Sequence, residues 1–222
     1  MVGRLALLFV VACVLAGTAA ASAGRLTDPK KRHNAADQAW AAAIRVHRSD
    51  LASGDWRVET SNELGGGPRA CKDPDLSDLV ETGDSENPDF SRNGSFVGSS
   101  ARIFLTEEQA TAGWRRVAAQ PVKRCLVDAF TEALAGSGAR VHIDSTDAIS
   151  LATATPHAVS SRIRLTLSVG KQKIHGRFSY YFLARGRATA MLVIFSFGKP
   201  LTPISESLER KLATLVSARM KQ

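Results

Sequence analysis

The sequence has 222 residues, of which 44% are hydrophobic, and a formal net charge of +8. This length suffices for one domain with its own core, and the positive charge favours anionic partners without choosing among them. No zinc finger, RNA-binding aromatic motif or basic low-complexity tail is present, which argues against a nucleic-acid-binding protein.

The first 23 residues have the three-part layout of a secretory signal peptide. Arg4 precedes an apolar run that continues through Gly17, and the small residues 21–23 follow. We expect cleavage after Ala23, which places the mature chain outside the cytoplasm. A lipid anchor at Cys13 is disfavoured because Cys13 lies inside the apolar run.

Removal of the signal peptide leaves two cysteines, Cys71 and Cys125, in an oxidising compartment. We expect one disulfide, which would close a loop of more than fifty residues. The chain-entropy account assigns such a loop about 4 kcal/mol of stabilisation. Neither cysteine has the spacing of a structural zinc site.

Residues 24–33 are polar and are expected to form a flexible lead-in to a single α+β domain over residues 34–222. Helical spacing of apolar residues predicts a helix over about 34–48. A short strand is predicted at 56–61. The acidic segment 73–94 is predicted to be an ordered surface loop with at most a short strand at 79–82. A strand is predicted at 96–105.

Two helices are predicted next. Thr106 and Gln109 have the spacing of a capping box, in which each side chain binds the other residue's backbone N–H. Pro121 opens the second helix, whose apolar stripe includes Cys125, and residues 136–138 end it.

A meander and a closing helix are predicted for the remaining residues. Short strands are expected at 140–144 and 150–153, and residues 159–169 alternate between apolar and polar. Gly170 and Lys171 fit a two-residue type II′ turn, which pairs Ile163 with Phe178. Residues 188–197 are apolar on both faces and predict a central strand covered on both sides. A final helix is expected to start at residues 202–203.

The same hairpin register places Arg164 opposite Arg177, and like charges opposed across a strand pair are unfavourable. One interpretation is an anion-binding patch, because arginine suits carboxylate and phosphate. The other is a solvated outer face, or arginines paired with the acidic segment. The candidate ligand-binding residues are Arg162, Arg164, Lys173, His175 and Arg177.

The acidic segment offers weak candidates for calcium ligands in Asp73, Asp75 and Asp78, with Glu81 and Asp84 nearby. The spacing lacks the glycine and the distal glutamate of an EF-hand loop, so we expect the aspartates to cap local backbone and the protein to have no cofactor.

No catalytic motif is evident. The five histidines are scattered, and no Gly-x-Ser-x-Gly elbow is present. His142 and Asp144 share a strand face, but Cys125 is expected to be oxidised and therefore not to act as a nucleophile. We therefore expect no enzyme.

Several segments together resemble secreted actinobacterial-type proteins of unassigned role. They are SDLASGDW, a cysteine before an acidic segment, SSARIFLTEEQATAGW, RCL, ARGRATAMLVIF and LERKLATLVSARM. The layout is also similar to PsbP-like lipoproteins and to the extracellular sensor domains of bacterial Ser/Thr kinases, over nearly the whole mature chain. The resemblance implies an antiparallel sheet with helices packed on its faces, as in a PsbP-like sandwich, a Cys71–Cys125 disulfide and a cleft for a ligand. The kinase sensors usually carry two disulfides, whereas this chain can form one.

These observations predict a secreted, non-enzymatic binding domain of the cell envelope for an anionic or amphipathic ligand or a protein partner. At most, we expect peripheral contact with a membrane. One alternative is a cell-envelope hydrolase, which needs histidines or carboxylates that converge in a pocket. A second is a structural envelope protein held by its basic face, whose binding would weaken steeply with salt.

Overall fold

The structure is a computed structural model that describes residues 27–51, 53–59, 74–86, 88–133, 139–151, 155–198 and 203–221. The predicted signal peptide and the cysteines Cys13 and Cys71 lie outside the described residues, as does Asp73. No helix in the described ranges is long and apolar enough to span a membrane.

The described residues form an α+β fold with helices on both faces of a nine-stranded sheet, which confirms the predicted fold class. The helices are α1 (Ala35–Ile44), α2 (Glu107–Ala118), α3 (Val122–Ala133) and α4 (Glu206–Arg219). The strands are β1 (Lys30–Lys31), β2 (Arg57–Glu59), β3 (Val80–Ser85), β4 (Asp89–Arg92), β5 (Ser95–Phe104), β6 (Arg140–Ala148), β7 (His157–Val169), β8 (Gln172–Arg185) and β9 (Ala188–Gly198).

The main order of the sheet is β1-β3-β5-β9-β8-β7-β6, and β4 joins β2 to β5 beside β3. β1 pairs in parallel with β3, and the other pairs of described strands are antiparallel. The long strands β7, β8 and β9 follow one another in sequence and lie side by side, and β5 pairs with the other edge of β9.

Alternate residues of the central strands point to opposite faces of the sheet. One face packs against α1 and α4, and we call it the covered face. The other packs against α2 and α3, and we call it the aromatic face because a connected row of rings crosses it. This aromatic row consists of Phe96, Phe178, Tyr180, Phe195 and Phe197.

The β7–β8 hairpin has the predicted register. Gly170 has a φ of 57°, as the first central residue of a type II′ turn requires, and Val169 pairs with Gln172 across the turn. Ile163 lies opposite Phe178, and Arg164 lies opposite Arg177. The hydrophobic alternation was therefore sufficient to set the pairing.

The prediction of cover on both sides of β9 is wrong for one side. The strand lies at the centre between β5 and β8, as predicted. Leu192 on the covered face is 0% exposed, whereas its neighbour Met191 on the aromatic face is 42% exposed. The helices α2 and α3 leave part of the aromatic face open.

The prediction for residues 73–94 is partly wrong. The short strand expected at 79–82 is present as β3, but β3 extends to Ser85 and β4 also lies in the segment that was predicted to be a loop. Asn93 and Gly94 both have positive φ values, 47° and 77°, and form a tight turn between β4 and β5. An Asn-Gly pair is a strong hairpin signal. It was not used because the acidic composition of the segment indicated a loop.

Three smaller predictions are corrected. The expected flexible lead-in contains β1, whose Lys30 N–H donates to the Leu79 carbonyl at 2.9 Å. The strand predicted at 140–144 extends to residue 148, and residues 150 and 151 of the strand predicted at 150–153 are not in a strand, whereas residues 152 and 153 lie outside the described residues. In the predicted capping box, Thr106 accepts from the Gln109 N–H, but the Gln109 side chain accepts from the Val80 N–H instead.

Cys125 lies in α3 and is disulfide-bonded. Its predicted partner, Cys71, lies outside the described residues, so the Cys71–Cys125 pairing stays a prediction.

Candidate functional site

The structure divides the five residues of the predicted basic patch into two groups. Arg162 and Arg177 are buried, at 9% and 8% exposed, beneath α4 on the covered face. Arg164, Lys173 and His175 lie on the same side of the sheet and are exposed. The five residues therefore share a strand face but do not form one open patch.

The buried arginines share a counter-charge that the sequence analysis missed. Glu209 of α4 is 0% exposed and accepts a hydrogen bond from Arg162 at 2.8 Å and another from Arg177. The hydroxyls of Ser179 and Tyr181 donate to the same carboxylate at 3.3 Å. We call these five residues the Glu209 cluster. Burial, followed by the nearby Glu209 charge, raises the pKa of Tyr181, so it stays a neutral donor.

The Glu209 cluster explains how two arginines lie close together beneath a helix. The sequence suggested a ligand because Arg164 and Arg177 oppose each other. The charge of Arg177 is instead balanced by Glu209 of α4. A buried ion pair also needs its remaining hydrogen bonds satisfied, which Ser179 and Tyr181 contribute. The helical spacing from Leu212 and Val216 back to Glu209 is the signal that would have predicted a buried glutamate.

The exposed part of the predicted patch has local partners. Arg164 forms a salt bridge with Asp147 of β6. His175 contacts the hydroxyl of Thr166 at 3.2 Å, and that hydroxyl donates to Asp144 at 2.8 Å. Because its proton is directed at a carboxylate, the Thr166 hydroxyl is not activated by His175 as a nucleophile.

The described calcium candidates have other roles. Asp75 accepts from the backbone N–H of Ser77 at 3.0 Å, as an aspartate in a local turn does. Asp78 forms a bidentate pair with Arg116 of α2, which lowers the pKa of Asp78 to about 2. These aspartates anchor the segment before β3 to α2.

A second acidic group lies farther along β3. Glu81 and Asp84 lie close to His33, and one donor atom from each of the three lies within 4.8 Å of the others. Burial raises the pKa of Glu81. In the described part of the chain, this is the group of side chains with the composition of a metal site.

The aromatic row is continuous across three neighbouring strands. The rings of Phe178 and Phe195 are 4.6 Å apart between centroids, and Phe195 also contacts Phe96 at 5.8 Å. Phe178 contacts Tyr180 at 5.9 Å. Centroid distances of this size give favourable contacts between tilted rings.

Phe197 extends the row at the end opposite Tyr180, in contact with Phe195 at 6.4 Å between centroids. A glycine makes this possible, because a Cβ on Gly176 would lie 2.5 Å from the Phe197 ring. A residue with a side chain at position 176 would therefore displace the ring.

The row ends at an open depression of about 520 Å³ between β8 and the start of α3. Tyr180 forms one wall, and we therefore call this site the Tyr180 depression. Pro121 and residues from the first two turns of α3 form the other: Val122, Lys123, Arg124, Val127 and Asp128. The depression therefore places one aromatic side chain of the sheet next to a basic helix start.

The electrostatics of the Tyr180 depression favour an anion. The Cys125 N–H donates to the Pro121 carbonyl at 3.0 Å, so the positive end of α3 lies at this wall. Arg124 lies 3.7 Å from Asp128, four residues later, whereas the neighbouring Lys123 adds a second positive charge. Burial raises the pKa of Tyr180, which therefore stays protonated and keeps a hydroxyl donor.

Comparisons with known proteins give one structural match. No protein-family model matches the chain, and no curated protein matches it. The fold is similar to the extracellular domain of PknH from Mycobacterium tuberculosis, with a TM-score of 0.43 and 10% sequence identity. That match covers 83% of this chain and 97% of the PknH chain. A likeness at this score concerns the arrangement of elements and carries no argument about ligand or activity.

Proposed function

We propose that the protein is an extracytoplasmic, non-enzymatic binding domain whose site is the Tyr180 depression and whose ligand is an amphipathic anion. Such a ligand has an apolar chain or ring and one acidic group. The observation that carries the proposal is an open apolar depression that combines Tyr180 with the basic start of α3. The signal-peptide pattern supports the extracytoplasmic location.

The apolar body of the ligand would lie against Tyr180, Val122 and Val127. Each methylene group removed from water contributes about 0.8 kcal/mol, so a chain of several carbons gives useful affinity. Its acidic group would lie near Lys123 and the start of α3, where the helix dipole and the ammonium charge favour an anion.

The exposed remainder of the predicted basic patch is a weaker candidate for the same ligand. Arg164 already pairs with Asp147, and its cross-strand partners, Ser145 and Arg177, are not aromatic. Arg162 and Arg177 are turned toward Glu209. The amphipathic part of the predicted ligand is therefore better matched by the aromatic face.

A thermal-shift titration of the purified protein tests the proposal with three probes: laurate, lysophosphatidylglycerol and uncharged dodecanol. A ligand at 100 times its Kd stabilises the folded state by about 2.7 kcal/mol, so laurate or lysophosphatidylglycerol should raise the melting temperature. Dodecanol should bind more weakly because it lacks the charge. Tyr180→Ala should weaken binding of the active probe at least tenfold.

Lys123→Glu and Lys211→Glu form a matched pair for the charge. Lys211 is exposed on α4, on the other side of the sheet, so both substitutions change the net charge equally. We expect only Lys123→Glu to weaken binding. Equal weakening by both would indicate a general attraction of the basic protein for anions. No shift with any probe would remove the proposed function.

A further inference from the structure

We propose that His33, Glu81 and Asp84 form a binding site for one divalent transition-metal ion, with zinc as the representative. Their donor atoms lie within 4.8 Å of one another although the residues come from two separate segments. His33 follows β1, and the two carboxylates belong to β3. This site is independent of the Tyr180 depression.

A bulge in β3 places both carboxylates on the same side. Residues three apart in a regular strand point to opposite faces, so Glu81 and Asp84 would otherwise diverge. The pairing of β3 with β5 shifts between Glu81 and Gly83, which adds one residue and corrects the direction of Asp84.

The same bulge lies against the first turn of α1. A Cβ on Gly83 would lie 2.4 Å from the backbone of Asp37, so only glycine permits this approach. The approach brings Gln38 to the site, where its Oε1 accepts from the Asp84 N–H at 2.9 Å. Its Nε2 lies 3.0 Å from His33 Nδ1 and 3.4 Å from Asp84 Oδ1. Gln38 thus positions two of the three proposed ligands, as outer partners do in metal sites.

Each carboxylate directs one oxygen toward a cationic side chain and the other toward His33. Glu81 Oε2 lies 3.4 Å from Arg102 Nε, while Oε1 lies 2.9 Å from His33 Nε2. Asp84 Oδ2 lies 3.5 Å from Lys31 Nζ, while Oδ1 lies 3.8 Å from His33 Nδ1. The two cations therefore fix the carboxylates and leave an inner oxygen of each beside the imidazole.

One of the three side chains is buried and the other two are partly exposed, an arrangement that holds an ion and also admits it from solvent. The Glu81 side chain is 1% exposed and forms the floor, whereas the His33 and Asp84 side chains are 26% and 24% exposed. An ion can reach the inner oxygens from solvent. Loss of water around a buried carboxylate is costly, and a divalent ion at this position offsets that cost.

The donor set selects the class of ion. One imidazole nitrogen and two carboxylate oxygens suit zinc or manganese, with water in the remaining position. Calcium takes about six to eight oxygen ligands, which this group does not provide. Ligand distances of about 2.0–2.2 Å require the three donors to close slightly around the ion.

Calorimetric titration of the purified protein with zinc chloride tests the site. We expect one zinc per molecule, an increase in melting temperature, and no competition from a tenfold excess of calcium. His33→Ala and Asp84→Asn should each weaken zinc binding at least tenfold. Both residues are partly exposed, so the variants should fold, which circular dichroism checks. Cobalt should bind the same site and give the visible absorption of a low-coordinate ion.

His142→Ala is the matched control. His142 is exposed on β6, and its Nε2 lies 3.9 Å from Asp144 Oδ1, so this pair is the obvious alternative for adventitious zinc. We expect His142→Ala to bind zinc as the parent does. Absence of zinc binding overturns the proposal. So does equal binding by the parent and His33→Ala, or a loss confined to His142→Ala.

Discussion

The two faces of the sheet have different chemistry although alternate residues of the same strands supply both. On the covered face, α1 and α4 bury an apolar core together with fully paired carboxylates, of which Glu209 is the most enclosed. On the aromatic face, α2 and α3 leave Met191 and part of the aromatic row accessible. The comparison indicates that the covered face is closed by packed and paired side chains, whereas the aromatic face leaves some apolar side chains accessible.

The ion pairs of the covered face also tie distant segments together. Arg219 at the end of α4 binds Asp50 at 2.7 Å, and Arg187 before β9 binds Asp37 of α1 at 2.8 Å. The pairing with Arg187 lowers the pKa of Asp37 to about 2, so this pair remains charged in mildly acidic conditions.

The largest effect is expected at Glu209. Glu209→Gln leaves two buried arginines without their shared counter-charge and should lower the free energy of unfolding by about 3–5 kcal/mol. Denaturant unfolding measures the loss. Glu206→Gln is the control, because the Glu206 side chain is 51% exposed and should cost at most about 1 kcal/mol. Equal losses in the two variants would contradict the central role of the Glu209 cluster.

Adjacent residues of β9 compare the two faces directly. Leu192→Ala removes a side chain that is 0% exposed on the covered face and should cost about 2–5 kcal/mol. Met191→Ala removes one that is 42% exposed on the aromatic face and should cost less than about 1 kcal/mol. Denaturant unfolding of both variants checks the difference. A cost for Met191→Ala as large as that for Leu192→Ala would mean that the aromatic face is as closed as the other.

Asp89 should make stability depend on pH. It is 6% exposed, and its Oδ1 accepts from the Ser99 N–H at 3.3 Å. Ser99 lies on β5 between the residues that pair with β4 and those that pair with β3. Burial raises the pKa of Asp89 to about 6, so the folded state favours the neutral carboxyl. Its stabilising contribution is therefore complete below pH 4 and is lost as the pH rises through 6.

Asp89→Asn keeps an oxygen acceptor and cannot ionise. A pKa shift of about two units corresponds to about 3 kcal/mol, so the variant should gain up to that much relative to the parent between pH 4 and pH 7.5. Unfolding curves at several pH values measure the difference between the two proteins, in which the contributions of other groups cancel. A difference that does not change with pH would contradict the raised pKa.

The smallest effect is expected at the exposed end of the predicted basic patch. Arg164→Ala breaks a solvent-exposed pair with Asp147 and should change the free energy of unfolding by about 0–1 kcal/mol. The loss should shrink further at high salt. Arg162→Ala should cost several times more, because it opens the Glu209 cluster. Equal costs would show that burial does not separate the two arginines.

The sequence predicted much of the fold because strand alternation and helix caps are local. The β7–β8 register followed from the placement of apolar residues and one glycine turn, and the structure has it. The second half of β3 and all of β4 were missed because their acidic and turn-forming residues do not alternate, although Asn93-Gly94 marked the turn between β4 and β5. Their pairing with β5 comes from contacts between segments rather than from local preference.

The sequence by itself determined the alternation that gives the sheet two faces, the capped start of α2 and the opposition of Arg164 and Arg177. Only the tertiary structure decided which arginines are buried, because Glu209 reaches them from a helix and lies 47 residues after Arg162 and 32 residues after Arg177. It also decided where the aromatic row remains open and that His33 lies beside Glu81 and Asp84. The physical reason is that burial and charge pairing depend on what packs over a strand, whereas the strand's own residues fix only the side on which each group lies.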